Sequence, residues 1–387
     1  MCYENRAIAK ATDMRLPSRL LFAGLLAYSA AASDVLADSD VQKIVADEVR
    51  LMMPDRDVGA AVAVLIDGRT LFFNFGWADR VLKRPITQDS LFNLASVGKV
   101  FDATLLSLAV IQNDVALDDP AAKYIAELQH GGDARDITLG QLATFTSGFS
   151  LPQDQPPWPA AHYTWRRFVH HLAYWKRDAD QQPGRHYVYS HAGYLLLHVA
   201  LERRFGMPYS ELLRQRLLQP LELFSTSVPP RGTHSVGRLS PALRARAVQG
   251  YSGDGKPIGR PGNVQGYYHW PGTEQMFSST RDLAKFLEAQ LGGGQYDSAL
   301  REAMALTHRP VAQIRPGVMQ AQAWEVHQAA EIIIGKNGGL NNASSFIGMV
   351  LNRRLGLVLL SNQGDLNAWD IGYPILLRLA EGQKKRS

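Results

Sequence analysis

The chain has 387 residues, 46% of them hydrophobic and 20% charged, with a formal net charge of +5. That length and apolar share are enough for a sizeable core in one large domain or two subdomains, and they exclude a disordered or fibrous chain. The basic residues are scattered in pairs such as Arg203-Arg204 and Arg353-Arg354, with one terminal run at Lys384-Lys385-Arg386, so the clustered patch of a nucleic-acid binder is missing and no nucleic-acid partner is expected.

Arg15 and Arg19 precede an apolar run over 20–27, and small residues lead on to Val35-Leu36-Ala37. Basic, apolar and small-residue segments in that order form a secretory signal peptide. The apolar run is short of the roughly 20 residues that cross a bilayer. Residues 1–37 therefore read as a leader, with no stable membrane insertion once it is cleaved, and the mature protein is expected to be periplasmic or secreted. The residues before Met14 are polar and mixed in charge, so Met14 is the expected start. Cys2, the single cysteine, goes with the leader.

Val41, Ile44, Val45, Val49 and Met52 recur at near-helical spacing and predict a helix over 38–53. Residues 58–66 and 71–77 read as strands joined at Asp67-Gly68, a hairpin signal. An apolar run leads into Ser96, and 97–113 reads as an apolar helix. Helices are expected at 121–128, 138–145, 165–175, 194–205 and 209–218. Between them lie the Pro- and Gln-rich loop 147–159 and the turn Pro183-Gly184. Residues 226–270 look irregular. A strand at 275–280 precedes a helix at 281–291. Three strands follow at 331–335, 343–351 and 355–360, with Gly338-Gly339 and Arg353-Arg354 at their turns, and a helix at 367–379 closes the pattern. The class is α+β. Residues 38–99 and 271–387 form an antiparallel sheet domain flanked by N- and C-terminal helices, and 100–270 form an all-helical domain with an irregular connection. A ligand cleft is expected at the join.

If the helix begins at Ser96, then Ser96 and Lys99 stand about one turn apart on one face. The hydroxyl then sits where a helix N-terminus favours developing negative charge. A Ser-x-x-Lys spacing arises about once by chance in a chain this long, so context decides. Serine needs a base to act as a nucleophile. Lys99 is the local candidate. Tyr189 stands between a turn and a helix, and Lys336 ends a strand before two glycines. His170-His171 has no third ligand spaced near it, so no metal or other cofactor is expected. The run from Gly232 to Gly237 is one residue too long for Gly-x-Ser-x-Gly, which argues against an α/β-hydrolase elbow.

Ser96-x-x-Lys99, Tyr189-Ser190-His191 and Lys336-Asn337-Gly338, in that order, resemble the three motifs of the serine β-lactamase and penicillin-binding protein superfamily. Tyrosine at the head of the second motif is similar to the class C β-lactamases, the related D,D-peptidases and the esterases of that fold. The stretch 137–148 (Ile-Thr-Leu-Gly-Gln-Leu-Ala-Thr-Phe-Thr-Ser-Gly), Pro220-Leu221-Glu222-Leu223, Phe277-Ser278-Ser279-Thr280-Arg281-Asp282-Leu283 and Ala323-Trp324-Glu325 are similar as well.

The resemblance implies a β-lactamase/transpeptidase-like fold and an acyl-enzyme on Ser96. It implies that Lys99 and Tyr189 share acid and base duty. Both side-chain types titrate near 10 when unperturbed, so they need tuning by neighbouring charge. Backbone N–H groups of Ser96 and Gly339 would form the oxyanion hole. Lys336 would attract a substrate carboxylate, with Asn367 near it, and Gln153 would line the cleft. The implied substrates are D-Ala-D-Ala peptides of peptidoglycan or β-lactams. The alternatives are a carboxylesterase of the same fold acting on small esters, and a catalytically weak cell-wall binding or regulatory protein. Two positions depart from the pattern. His191 stands where the second motif usually ends in Asn, and a neutral imidazole offers a donor and an acceptor only in a fixed tautomer. Asn337 stands where the third motif usually has Thr, and puts a larger amide where a hydroxyl would face the carboxylate. Both changes keep polarity, alter shape, and point away from efficient penicillin hydrolysis.

Overall fold

The computed structural model describes residues 36–53, 59–149, 165–179, 183–229, 237–264 and 275–385. All but the last two residues of the leader read over 1–37, the candidate Gln153, and residues 232–236 of the glycine-flanked serine run lie outside the described residues.

Helix α1 (Asp38–Met52) leads to a hairpin of β1 (Ala60–Ile66) and β2 (Arg69–Phe75). Asp67 and Gly68 at its tip have φ of 51° and 75°, the left-handed conformation that an Asp-Gly pair adopts at low cost. Short strands β3 (Trp77–Asp79), β4 (Arg84–Pro85) and β5 (Phe92–Asn93) follow. A 3-10 turn, Ala95–Gly98, then enters α2 (Lys99–Ile111). The helical layer continues with α3 (Leu139–Ala143), α4 (Trp165–Tyr174), α5 (His191–Phe205) and α6 (Tyr209–Leu213), the last prolonged by a π turn over Arg214–Leu218. Next come α7 (Pro241–Arg244), β6 (Gly250–Tyr251), β7 (Pro257–Ile258), β8 (Phe277–Ser278), α8 (Thr280–Gln290) and α9 (Ser298–Thr307). Strands β9 (Ala312–Arg315), β10 (Val318–Gln320), β11 (Glu325–Gln328), β12 (Ile332–Leu340), β13 (Ala343–Val350) and β14 (Leu355–Ser361) precede α10 (Trp369–Lys384).

Eight of these strands make one antiparallel sheet in the order β2-β1-β14-β13-β12-β11-β10-β9. The expected α+β architecture, an antiparallel sheet flanked by N- and C-terminal helices, is what the chain adopts. Every residue of β1 is buried, and strand alternation divides them between two cores. Ala61, Ala63 and Leu65 join the core that holds α2, α5 and α8, whereas Val62, Val64 and Ile66 join the core under α1 and α10. A sheet covered on both faces explains why β1, β13 and β14 read as unbroken apolar runs.

Several expectations need correction. The helix expected over 121–128 is two 3-10 turns, Ala121–Lys123 and Ala126–His130. Gly338 and Gly339 do not make a turn; they lie inside β12, and the reversal into β13 is at Asn341-Asn342, between the paired Leu340 and Ala343. Strands β9 to β11 and helix α9 were not expected at all. The strands hold only three or four residues each, too few for a period to register.

Buried polar groups tie the helical layer to α2. Asp102 sits on α2, one turn after Lys99, and is almost fully enclosed. The Tyr209 hydroxyl donates to its Oδ1. His198 Nε2 lies 3.0 Å from its Oδ2, at ion-pair distance but not aligned as a hydrogen bond, and the His198 ring stacks on Tyr209 at 3.9 Å. Burial and the Asp102 charge push the Tyr194 hydroxyl well above the usual tyrosine range. It therefore stays a neutral donor to the Ala143 carbonyl at 2.8 Å.

His308, after α9, is packed against α8, with its Nε2 2.8 Å from Gln290 Oε1. Burial pushes its pKa down from 6.5 to about 4. The folded protein thus binds fewer protons than the unfolded chain between those values, and stability must fall as pH drops through that window. The loss attributable to His308 between pH 7 and pH 5 is about 2 kcal/mol. Urea unfolding at the two pH values is expected to show it, and a His308→Gln variant is expected to lack that share of the slope.

Candidate active site

Ser96 is held in a backbone that is itself unusual. Ala95 before it has φ of 47°, a left-handed conformation uncommon outside glycine. Two bonds keep the chain there. Asn93 Oδ1 accepts from the Ala95 amide at 3.0 Å, and the Leu94 amide donates to the Met276 carbonyl at 2.8 Å. The α-helix begins neither at Ser96 nor at 97, where the apolar helix was expected to start. Ser96 lies in the 3-10 turn, and α2 begins at Lys99. The three-residue spacing still brings the side chains together, because residues i and i+3 eclipse in a 3-10 turn. Lys99 Nζ donates to Ser96 Oγ at 3.3 Å.

Tyr189 reaches the same oxygen from the other side, its hydroxyl 2.7 Å from Ser96 Oγ. It occupies the short link between the turn at Pro183-Gly184 and α5, as expected. That link is pinned to the 137–148 stretch, with the Val188 amide donating to the Phe145 carbonyl at 2.8 Å and the Gly184 amide to the Thr146 carbonyl at 3.0 Å. The Tyr189 ring stacks on Phe145 with centroids 4.5 Å apart. Two lysine nitrogens flank it, Lys99 Nζ at 5.3 Å and Lys336 Nζ at 5.0 Å from the ring centre. Both lysines are buried, 0% and 3% exposed, so aromatic faces replace much of the water around their head groups. Ser96, Lys99, Tyr189 and Lys336, named from motifs spread over 240 residues, thus converge.

Lys336 comes from β12, whose register explains its placement. Pairing with β11 ends at Gly335 opposite Glu325, whereas pairing with β13 continues to Leu340. Residues 336–340 therefore have a strand on one side and the Ser96 turn close by. A side chain on Gly338 would put its Cβ 2.7 Å from the Ser96 nitrogen and 2.6 Å from the Leu94 carbonyl oxygen. Its glycine is needed for close approach rather than for a turn. Ser345 Oγ, across from Gly338 on β13, donates to the Leu94 carbonyl at 2.6 Å and fixes the same contact. Gly339 is exposed at the strand edge with open space around it. A Gly338→Ala change is expected to push the turn off the strand and lower kcat/KM about 100-fold, the scale of a lost oxyanion donor. Steady-state kinetics on a soluble, folded variant checks this.

The remaining candidates are near but distinct. His191 is the first residue of α5 and stands edge-on to Tyr189 at 5.2 Å between centroids. Asn337 donates from Nδ2 to Asn367 Oδ1 at 3.3 Å, which joins two sequence candidates directly. His170 and His171 lie together on α4, and no group of three metal-binding side chains is gathered among the described residues.

Glu325 is a neighbour whose place in the site the residues alone did not reveal. It lies opposite Gly335 at the start of β11. Burial opposes its ionisation, but His327, 3.3 Å away, and the charge of Lys336 outweigh that and hold its carboxyl below the usual range. An anion beside Lys336 thus offsets part of the positive charge there. The same carboxylate, after burial and Tyr189, helps to raise Tyr187 above its ordinary value.

The family model described as Beta-lactamase matches residues 48–380. The chain belongs to the Beta-lactamase family. Among curated members, it is 28% identical over 365 residues to the Beta-lactamase of Pseudomonas fluorescens, which covers 85% of this chain and 96% of the relative. It is 25% identical over 379 residues to the Beta-lactamase of Escherichia coli K12, covering 89% and 97%. Among solved structures, a Beta-Lactamase/D-Alanine Carboxypeptidase from Pseudomonas syringae superposes with a TM-score of 0.75 at 25% identity, over 87% of this chain and 99% of that one. The class C β-lactamases and D-alanine carboxypeptidases of this family share the fold described above.

Proposed function

We propose that the protein is an exported serine hydrolase that forms an acyl-enzyme on Ser96, acting on D-Ala-D-Ala peptides or β-lactams. One observation carries the reading: Ser96 Oγ lies within hydrogen-bond reach of both the Tyr189 hydroxyl and Lys99 Nζ, at 2.7 Å and 3.3 Å. Lys99 donating to Oγ leaves the serine proton directed at the tyrosine oxygen. In acylation the Oγ–carbonyl carbon bond forms as that proton passes to the Tyr189–Lys99 pair. The carbonyl oxygen becomes an oxyanion against the N–H groups of Ser96 and Gly339. The bond from that carbon to the leaving nitrogen then breaks, and the nitrogen takes the proton. Water repeats the sequence on the ester and frees Ser96. The names of the relatives support this substrate class.

A carboxylesterase of the same fold is the second reading. It is favoured by the amide of Asn337 where a hydroxyl would face a carboxylate. The leader over 1–37 supports export to the periplasm or medium, and no helix among the described residues is long and apolar enough to cross a membrane.

A fluorescent penicillin and a short-chain acyl ester test the proposal together. The expected result is a covalent adduct that peptide mapping places on Ser96. Ester turnover without penicillin labelling would favour the esterase, and neither activity would leave only a binding or regulatory role.

A further inference from the structure

The hairpin between β3 and β4 holds an apolar pair out in solvent. Val81 is 87% exposed and Leu82 74%, and they are the only exposed large hydrophobic residues adjacent in sequence among the described residues. Single exposed apolar side chains are ordinary, whereas apolar surface gathered at one tip and rimmed by polar groups marks a contact surface. The tip is held in this shape. Asp79 Oδ1 accepts from the Val81 and Leu82 amides, both at 2.9 Å, and closes the turn beneath them. Lys83 then takes a left-handed conformation, φ of 49°, as the chain returns into β4. The base is braced on residues 246–255. The Arg80 amide donates to the Tyr251 hydroxyl at 2.9 Å, and its guanidinium lies over the Tyr251 ring and donates to the Gly255 carbonyl at 3.3 Å. Arg84 donates to the carbonyls of Arg246 and Ala247.

The charge around the pair decides what it fits. Arg80, Lys83 and Arg84 flank it, against the single carboxylate of Asp79, which the turn amides engage. The bonds of Arg84 go to neutral carbonyls and leave its charge in place, and Lys83 is exposed. An apolar tip in a cationic collar complements an anionic lipid surface, where aliphatic side chains enter the headgroup boundary and the cations meet phosphates. A second copy docking tip to tip would bring the same cations together, and like charge opposes that contact.

We infer that the Val81–Leu82 tip is a peripheral docking site for bilayers rich in anionic phospholipid. The contact is superficial and reversible, a hairpin in the headgroup layer and not a segment across the membrane. It takes no part in acylation at Ser96 and stands or falls apart from that reading. Its effect is to hold the protein at a membrane surface.

The test is sedimentation with vesicles of phosphatidylglycerol and phosphatidylcholine in equal parts, against vesicles of phosphatidylcholine alone. The apolar run over 20–27 also partitions into lipid, so every protein compared is made from the full chain and matched by intact mass for the state of its leader. The wild type is expected to bind the anionic vesicles about tenfold more tightly than the neutral ones, and to be released by about 0.5 M salt. The double variant Val81→Ser, Leu82→Ser and the single variant Lys83→Glu are each expected to bind the anionic vesicles about fivefold more weakly. All three positions are exposed, so thermal unfolding is expected to be unchanged in both variants. Equal binding to the two kinds of vesicle, or wild-type binding in either variant, would overturn the inference. So would a lipid-free dimer of the wild type that the double variant loses, with no binding to vesicles, because the tip would then be a contact between copies.

Discussion

A Ser96→Ala variant is expected to form no covalent adduct with penicillin or acyl ester and to lose on the order of 10⁵-fold in kcat/KM, as when a nucleophile acting as one unit with its base is removed. The structure gives a reason to expect this without unfolding. Ser96 is only partly buried, and its Oγ is hydrogen-bonded to Tyr189 and Lys99, the two groups proposed to act with it. The turn around it is held by the amides of Leu94 and Ala95 and the carbonyl of Leu94, none of which the substitution touches. Intact-mass spectrometry after incubation, alongside thermal unfolding, separates lost chemistry from lost structure. An adduct of undiminished amount on the variant would remove Ser96 from its role.

The second large effect is expected from Tyr189→Phe, about 10³-fold in kcat, within the range of a lost acid–base group. The ring and the hydroxyl of Tyr189 do separate jobs. The ring fills the stack on Phe145 and faces the two lysine nitrogens, and phenylalanine keeps all of that. The hydroxyl alone touches Ser96 Oγ. Thermal stability should therefore change little while turnover collapses. His191→Asn, which alters a ring standing edge-on to Tyr189, is expected to cost less than tenfold. A larger loss from His191→Asn than from Tyr189→Phe would reverse the assignment of roles.

The parts of this site that were legible in the sequence are those set by local chemistry. Ser96 and Lys99 are three residues apart, and a 3-10 turn serves their meeting as well as the expected helix. Tyr189 follows a Pro-Gly turn and precedes a capped helix, so its exposure to the site was readable from its neighbours. Gly338 was misread because glycine pairs signal turns more often than close approach. Nothing near it in the chain reports that Ser96 and Leu94, more than 240 residues earlier, will press against it. Glu325 and the supporting Ser345 were hidden for the same reason: their meaning depends on partners across the sheet, and β11 is too short to announce itself. The Asn337–Asn367 hydrogen bond was half visible, since both residues were named, but their meeting exists only in three dimensions.

The strand order also bears on how the protein is made. β1 pairs with β14, so Ala60 meets Ser361, and the strand synthesised first cannot complete its pairing until nearly all of the chain exists. The surface that receives the Ser96 turn arrives equally late, with β12 and β13. Pairings of such long sequence separation carry a high loop-closure cost and slow the folding of a domain. A nascent chain that already holds Ser96, Lys99 and Tyr189 therefore still lacks the sheet surface against which the Ser96 turn packs.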